Sequence, residues 1–251
     1  MIFAELPTPF IFAHRGSSMY APENTMAAFT LALRQGADGI ELDAKLSADG
    51  QVVVIHDQTV DRTTKRSGSV SSFTCEQLQK MDAGSHFDMG FQRESIPRLD
   101  SVLEHFGTRC FINIELTNYN SIYDKLPLKV IQILQQLKLE SQVLLSSFNP
   151  IALLKVHHHL PDTPIGLLAP PGKKGFWARS WLGRFMAYQS LNLAIEDVSS
   201  KLVQKEHKKG KKVFAYTANR KEDINRLINL NVDGIFSDDP VLARKMLNVA
   251  C

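Results

Sequence analysis

Residues 10–46 read FIFAHRGSSMYAPENTMAAFTLALRQGADGIELDAKL and hold one complete structural unit. Phe10 to Ala13 is a short apolar run with the composition of a buried strand. Turn signals follow at Gly16 and Pro22. Met26, Phe29 and Leu33 then recur at steps of three and four, the period of a helix with one apolar face. Asn24 stands where an N-cap is wanted and Gly36 where a C′ residue is wanted, so both ends have chemistry for their orphan backbone groups. Ile40 to Leu46 reads as the next strand, and strand–helix–strand is the unit from which parallel sheets are built.

The alternation continues in both directions from this unit. Strands are expected at Phe111–Leu116, Val143–Ser146, Pro164–Leu168, Leu193–Asp197, Lys212–Tyr216 and Gly234–Phe236, with helices at Leu128–Leu139, Ile151–Leu160, Leu202–Lys209 and Glu222–Leu230. With Val52–Ile55 that makes nine strand-like runs, one more than a closed (β/α)8 barrel needs. The expected class is therefore α/β, a TIM barrel spanning 1–251 as a single domain. The surplus run is explained by Asp49-Gly50, a hairpin signal too short for a crossover helix, which makes Val52–Ile55 antiparallel to its predecessor. With a two-residue loop Ala48 faces Gln51, Leu46 faces Val53, and Asp43 comes opposite His56. After His56-Asp57 the rhythm breaks for residues 57–98, which read as an insertion containing Ser67-Gly68-Ser69 and a capping-box helix start at Thr74-x-x-Gln77.

Composition narrows the function classes. A chain of 251 residues, 44% apolar and 22% charged, buries enough surface to fold without a metal or disulfide, so any metal would serve chemistry. Cys75, Cys110 and Cys251 form no paired motif and suit a reducing, cytoplasmic setting. A net charge of +3 from 29 basic and 26 acidic residues gives no basic footprint for nucleic acid, and it permits an anionic small substrate. No apolar run approaches the roughly 18 residues of a membrane helix, so no stable membrane insertion is expected.

In a barrel, chemistry sits where strands end and loops begin. His14-Arg15, Glu41 and Asp43, His56-Asp57 and Glu115 all fall at such ends. Glu41 and Asp43 are two apart and share one strand face. Buried there, two carboxylates must be protonated, paired with bases such as Arg15 or Lys45, or neutralised by a cation. Three acids without thiolates make an oxygen site that suits Mg²⁺ or Ca²⁺ better than zinc. His14 and His56, at separate strand ends, can sit on opposite sides of one reacting group and exchange protons near neutral pH. Arg15 offers a fork of donors for phosphate oxygens, or a salt bridge to Glu41 or Glu23.

Taken in order, His14-Arg15-Gly16, Pro22-Glu23-Asn24-Thr25, Glu41-Leu42-Asp43, His56-Asp57, Arg62-Thr63-Thr64, Asp82-Ala83-Gly84, Ile96-Pro97, Asn113-Ile114-Glu115, Ser146-Ser147-Phe148 and Val232-Asp233-Gly234-Ile235 with Asp238 resemble the glycerophosphodiester phosphodiesterases, of the compact cytosolic bacterial type. The resemblance covers nearly the whole chain. It implies a TIM barrel, a divalent cation held by Glu41, Asp43 and Glu115, acid/base histidines at His14 and His56, and a phosphate-binding Arg15. It further implies cleavage of a small glycerophosphodiester to sn-glycerol 3-phosphate and an alcohol, with water or the neighbouring glycerol hydroxyl as nucleophile. Where the family carries a lysine two residues after the third acid this chain has Thr117, a hydroxyl donor without charge. Our hypothesis is that Lys45 or Arg15 restores the missing positive charge. Phe148 and Tyr216 line the apolar side of the cleft or are ordinary core. Competing readings are a lysophospholipase D or lyase acting on a lipid phosphodiester, and a phosphodiester-binding module without activity.

Two further features carry less weight. Residues 170–184 read PPGKKGFWARSWLGR, either a basic aromatic cover touching the site or a lipid surface, or, as favoured here, a loop leading to a helix that packs Trp181 and Phe185 inward. His157-His158-His159 occupy consecutive helix positions, which point around the cylinder and cannot share one metal.

Overall fold

The computed structural model describes residues 3–119, 123–180 and 186–250. Nine strands form one sheet: β1 (Phe10–Ala13), β2 (Gly39–Leu46), β3 (Val52–Val54), β4 (Phe111–Leu116), β5 (Val143–Ser147), β6 (Ile165–Ala169), β7 (Ser190–Ala194), β8 (Lys212–Tyr216) and β9 (Gly234–Ser237). Eight run parallel, and β1 pairs with both β9 and β2, which closes the ring into a TIM barrel. β3 is the surplus strand and lies antiparallel against β2, outside the ring. The connections carry α1 (Met26–Arg34), α2 (Cys75–Gln79), α3 (Leu99–Phe106), α4 (Leu126–Leu137), α5 (Pro150–His159), α6 (Phe176–Arg179), α7 (Ser200–His207), α8 (Lys221–Asn229) and α9 (Pro240–Ala250). None of the described helices is long and apolar enough to cross a membrane. Cys75 and Cys110 are buried free thiols.

Period-two alternation divides every barrel strand into two faces. Outward-facing Ile11, Ile40, Leu42, Ile112, Ile114, Val143, Leu145, Leu167, Leu191, Val213 and Ile235 join the main core beneath the helices. Inward-facing residues change character along the barrel axis. At the N-terminal end Phe10, Phe12, Phe111, Phe214 and Phe236 with Leu6 and Leu144 form a closed aromatic floor, in which Phe12 stacks on Phe236 with centroids 4.9 Å apart. Glycines make room for the rings: a Cβ on Gly39 would lie 2.3 Å from the Phe111 carbonyl oxygen and 2.9 Å from the Phe10 ring. Towards the C-terminal end the inward positions turn polar and acidic. A second small core, Val53, Ile55, Val60, Val70, Cys75, Leu78, Met81, Ala83 and Ile96, is built by β3 and the insertion.

Three local expectations need correction. The hairpin register is Leu46↔Val52, Lys45↔Val53 and Ala44↔Val54, so Asp43 opposes Ile55, whose N–H donates to its carbonyl at 2.9 Å, and not His56. The loop has three residues because Ser47 and Gln51 already pair, the Ser47 hydroxyl fastens the turn, and Gly50 takes φ +72°. The N-cap of α1 is Thr25, whose hydroxyl accepts from the Ala28 N–H; Asn24 has φ +57° and directs its amide to Asp43. The sixth barrel strand is β7, Ser190–Ala194 where Leu193–Asp197 is expected, and Ile195–Asp197 form a 3-10 turn. Its inward positions Ser190 and Asn192 are polar, which obscured the apolar run. Of the basic aromatic segment, Trp177 packs partly on the main core and Arg179 pairs with Asp197. Trp181, Arg184 and Phe185 lie outside the described residues.

Candidate active site

The parallel register between β2 and β4 sets Glu41 beside Asn113 and Asp43 beside Glu115, all facing inward above the aromatic floor. Oxygens of Glu41, Asp43 and Glu115 lie within 4.8 Å of one another. Glu41 and Asp43 are 2% and 1% exposed, so their charge has almost no solvent to stabilise it. Protein donors meet only part of that need. The Arg15 N–H donates to Glu41 at 2.8 Å, the Asn24 amide donates to Asp43 at 2.9 Å, and Tyr119 O–H donates to Glu115. The Arg15 amide can reach Glu41 because Arg15 and Gly16 both adopt left-handed backbone, φ +56° and +82°, folding the loop tightly over α1. A Cβ on Gly16 would sit 2.7 Å from Ala28 Cβ.

Each histidine is oriented by a carboxylate. His14 Nδ1 donates to Asp238 at 2.7 Å, and Asp238 also accepts from Ser18 and Asn219. His56 Nδ1 donates to Asp57 at 2.7 Å, and Asp57 is clamped by Arg62, which also grips Glu23 at 2.6 and 2.8 Å. Glu23 in turn accepts from Arg15 at 3.0 Å, whose Nε lies 3.4 Å from Asp43. With Nδ1 engaged, the Nε2 of each ring is left for a substrate. His14 and His56 line the same cavity of about 230 Å³ together with Arg15, Glu41, Asn113, Glu115, Tyr119, Phe148, Leu168, Tyr216, Thr217 and Phe236. Tyr119, Phe148 and Tyr216 stand edge to face in a row, with centroids 5.6 and 6.1 Å apart, forming its aromatic wall.

Of the residues singled out in the sequence, His14, Arg15, Glu41, His56, Glu115, Phe148 and Tyr216 line this cavity, and Asp43 reaches the acid cluster beneath it. Lys45 and Thr117 meet each other instead, Nζ to Oγ1 at 2.7 Å, and line an adjoining cavity that shares Tyr119. Sequence reasoning missed Tyr119, which is two residues beyond Thr117 after the strand has ended, and the Glu23–Arg62–Asp57 chain, whose members are adjacent only in space.

The electrostatics follow from burial. Glu41 is driven well above the usual carboxylate range by desolvation, then by Asp43 and Glu115. Glu115 is pushed up to about 8 by desolvation and Asp43, against the Tyr119 hydrogen bond. Asp57 falls to about 2, chiefly through its hydrogen bonds to Arg62. Asp238 is lowered because its bonds to His14, Asn219 and Ser18 outweigh burial. Lys45 is lowered by desolvation, against the pull of Asp43 and Glu115. The acid cluster fits a hard divalent cation: its donors are all oxygen, and Glu41 Oε1 is buried with no hydrogen-bond partner among the described residues.

Comparison with known proteins gives a consistent result. Residues 14–242 match the model of the glycerophosphoryl diester phosphodiesterase family. A glycerophosphodiester phosphodiesterase of Caldanaerobacter subterraneus subsp. tengcongensis is 43% identical over 92% of this chain and 94% of its own. Among solved structures, a glycerophosphodiester phosphodiesterase of Agrobacterium tumefaciens superposes with a TM-score of 0.82 at 30% identity, over 94% of this chain and 99% of its own. A phosphodiesterase of Oleispira antarctica in complex with the product sn-glycerol-3-phosphate superposes with a TM-score of 0.85 at 29% identity, over 96% and 97%.

Proposed function

The chain belongs to the glycerophosphoryl diester phosphodiesterase family, and on that premise we propose that it cleaves small glycerophosphodiesters to sn-glycerol 3-phosphate and an alcohol, using His14 and His56 as the acid/base pair. The observation that carries this reading is the convergence of both imidazoles, Arg15 and the acid cluster on one cavity. Glu41, Asp43 and Glu115 would hold a divalent cation, Mg²⁺ or Ca²⁺, which when bound offsets phosphate charge and acidifies an oxygen nucleophile.

The protein's own groups account for the remainder. Arg15, fixed by Glu23 and the acids, keeps N–H donors for the phosphate oxygens, and burial concentrates its field there. One imidazole Nε2 takes the proton of the attacking hydroxyl as its oxygen bonds to phosphorus. The other gives a proton to the alcohol oxygen as the P–O bond breaks. Each step contributes on the order of 10²- to 10⁴-fold. Asp238 and Asp57 hold the rings in the required tautomer. Phe148, Leu168 and Tyr216 give the carbon side of the glycerol an apolar wall. None of the described residues 170–180 lines the cavity.

The test is sn-glycerol 3-phosphate release from glycerophosphocholine and glycerophosphoethanolamine, and choline release from lysophosphatidylcholine, each with and without chelator. Release from the first two that stops on chelation is expected; no release from any of them, or full release in chelator, overturns the reading. Cyclic glycerol phosphate appearing during turnover identifies the glycerol hydroxyl as nucleophile, and its absence with ¹⁸O from water entering the monoester identifies water.

A further inference from the structure

Adjoining the main cavity is a second one of about 130 Å³ that shares Tyr119 with it and is lined by Lys45, Gln58, Ser71, Thr117, Asn118 and Asp124 among others. We propose that this cavity is the subsite for the leaving alcohol and selects a neutral polyhydroxyl head group, such as glycerol, over choline; the proposal rests on the phosphodiesterase reading above.

Position gives the first argument. Thr117 follows the last residue of β4, and its N–H and hydroxyl both bond to the carbonyl of Ala44, so the Lys45–Thr117 pair stands one step nearer the barrel mouth than Asp43–Glu115. Gln58 and Ser71 belong to the insertion and are exposed at the rim. The invariant half of a glycerophosphodiester belongs in the deeper cavity between the histidines, which leaves the variable half for the pocket built by a loop.

Chemistry gives the second. Asn118 is 7% exposed, and its Oδ1 is a buried acceptor without a hydrogen-bond partner among the described residues. An orphan acceptor wants a donor. Lys45 gives one N–H to Thr117 and has two further donors, so the wall also wants an acceptor. A hydroxyl satisfies both at once. A quaternary ammonium satisfies neither and meets the Lys45 charge. Asp124, whose carboxylate caps the start of α4 through the Leu126 N–H at 2.6 Å, balances Lys45 and leaves the pocket suited to an uncharged guest. At about 30 Å³ per water the space is on the order of four waters, the scale of a three-carbon polyol.

The experiment compares kcat/KM for glycerophosphoglycerol, glycerophosphoethanolamine and glycerophosphocholine in the wild type and in Asn118→Ala and Asn118→Asp. The wild type is expected to favour the glycerol head group. Asn118→Ala should lower kcat/KM for glycerophosphoglycerol by about five- to tenfold, one hydrogen bond's worth, and leave glycerophosphocholine within about twofold. Asn118→Asp keeps the acceptor and adds negative charge, so the ethanolamine and choline substrates should gain on the glycerol one. Equal loss on every substrate in both variants, or a wild type that prefers choline, overturns the subsite. A wild type that turns over none of the three overturns the phosphodiesterase reading itself.

Discussion

The two histidines face one cavity, yet they are held by different physics. His14 rests on Asp238, which is fastened by the neutral donors of Ser18 and Asn219 and sits at the end of a barrel strand. His56 rests on Asp57, which belongs to an ionic chain through Arg62 and Glu23 to Arg15 at the base of the insertion. Arg62 is 48% exposed and the His56 ring 40%, against 21% for His14. A carboxylate held by neutral donors is less sensitive to salt than a chain of exposed opposite charges, which salt screens. The site thus combines a fixed half and an adjustable half.

Removing either imbidazole should erase the difference and produce the largest effect. His14→Ala and His56→Ala are each expected to lower kcat by about 10²- to 10⁴-fold with thermal stability preserved. Near-wild-type turnover in either variant would remove that residue from the pair. Next come the orienting carboxylates. Asp238→Asn and Asp57→Asn should each cost roughly 10- to 100-fold, the usual scale for a group that fixes another's tautomer. The Asp238 variant should be the more damaging, because its carboxylate joins three separate loop positions.

Arg62→Ala probes the adjustable half alone. A loss of about fivefold in kcat/KM is expected, from roughly 1 kcal/mol of exposed ion pairing. Raising ionic strength should slow the wild type and leave the variant flat, measured as initial rates across a salt series. A salt response identical in both would place the sensitive charges elsewhere.

The smallest effects are on stability, and here the two regions have opposite signs. Asp57 is lowered to about 2, so its contribution is present above the unfolded value near 3.8 and is lost as pH falls through 2. Glu115 is raised to about 8, so its contribution is present below 4.5 and is lost as pH rises through 8. The melting temperature of the chelated protein should therefore decline between about pH 5 and 8, and added Mg²⁺ or Ca²⁺ should restore it most at the upper end, where fewer protons compete for the acids. A cation effect that did not grow with pH would detach the cluster from metal binding.

Much of this architecture was legible because strand periodicity is strict. Two residues' separation put Glu41 and Asp43 on one face, and the surplus ninth run with Asp49-Gly50 announced a hairpin outside the barrel. What escaped was decided by side chains acting on the backbone. The Ser47 hydroxyl lengthened the turn by one residue and moved the register. Asn24 satisfies Asp43, so capping passed to Thr25. Ser190 and Asn192, polar and fully buried inside the barrel, hid the start of a strand, which is expected at Leu193–Asp197 and runs over Ser190–Ala194. Period two carries Lys45 along the strand beyond Glu41 and Asp43, but its bond to Thr117, just past the end of β4, depends on a register no local pattern reveals.

The stacked phenylalanines beneath the acids have a kinetic consequence. Among the described residues they seal the barrel at its base, so nothing passes through it from one end to the other. Reactant and products must queue at the same threshold. On the proposed reading the alcohol, held nearer the outside, would depart first, and the phosphate monoester left behind would block the next arrival until it too is released.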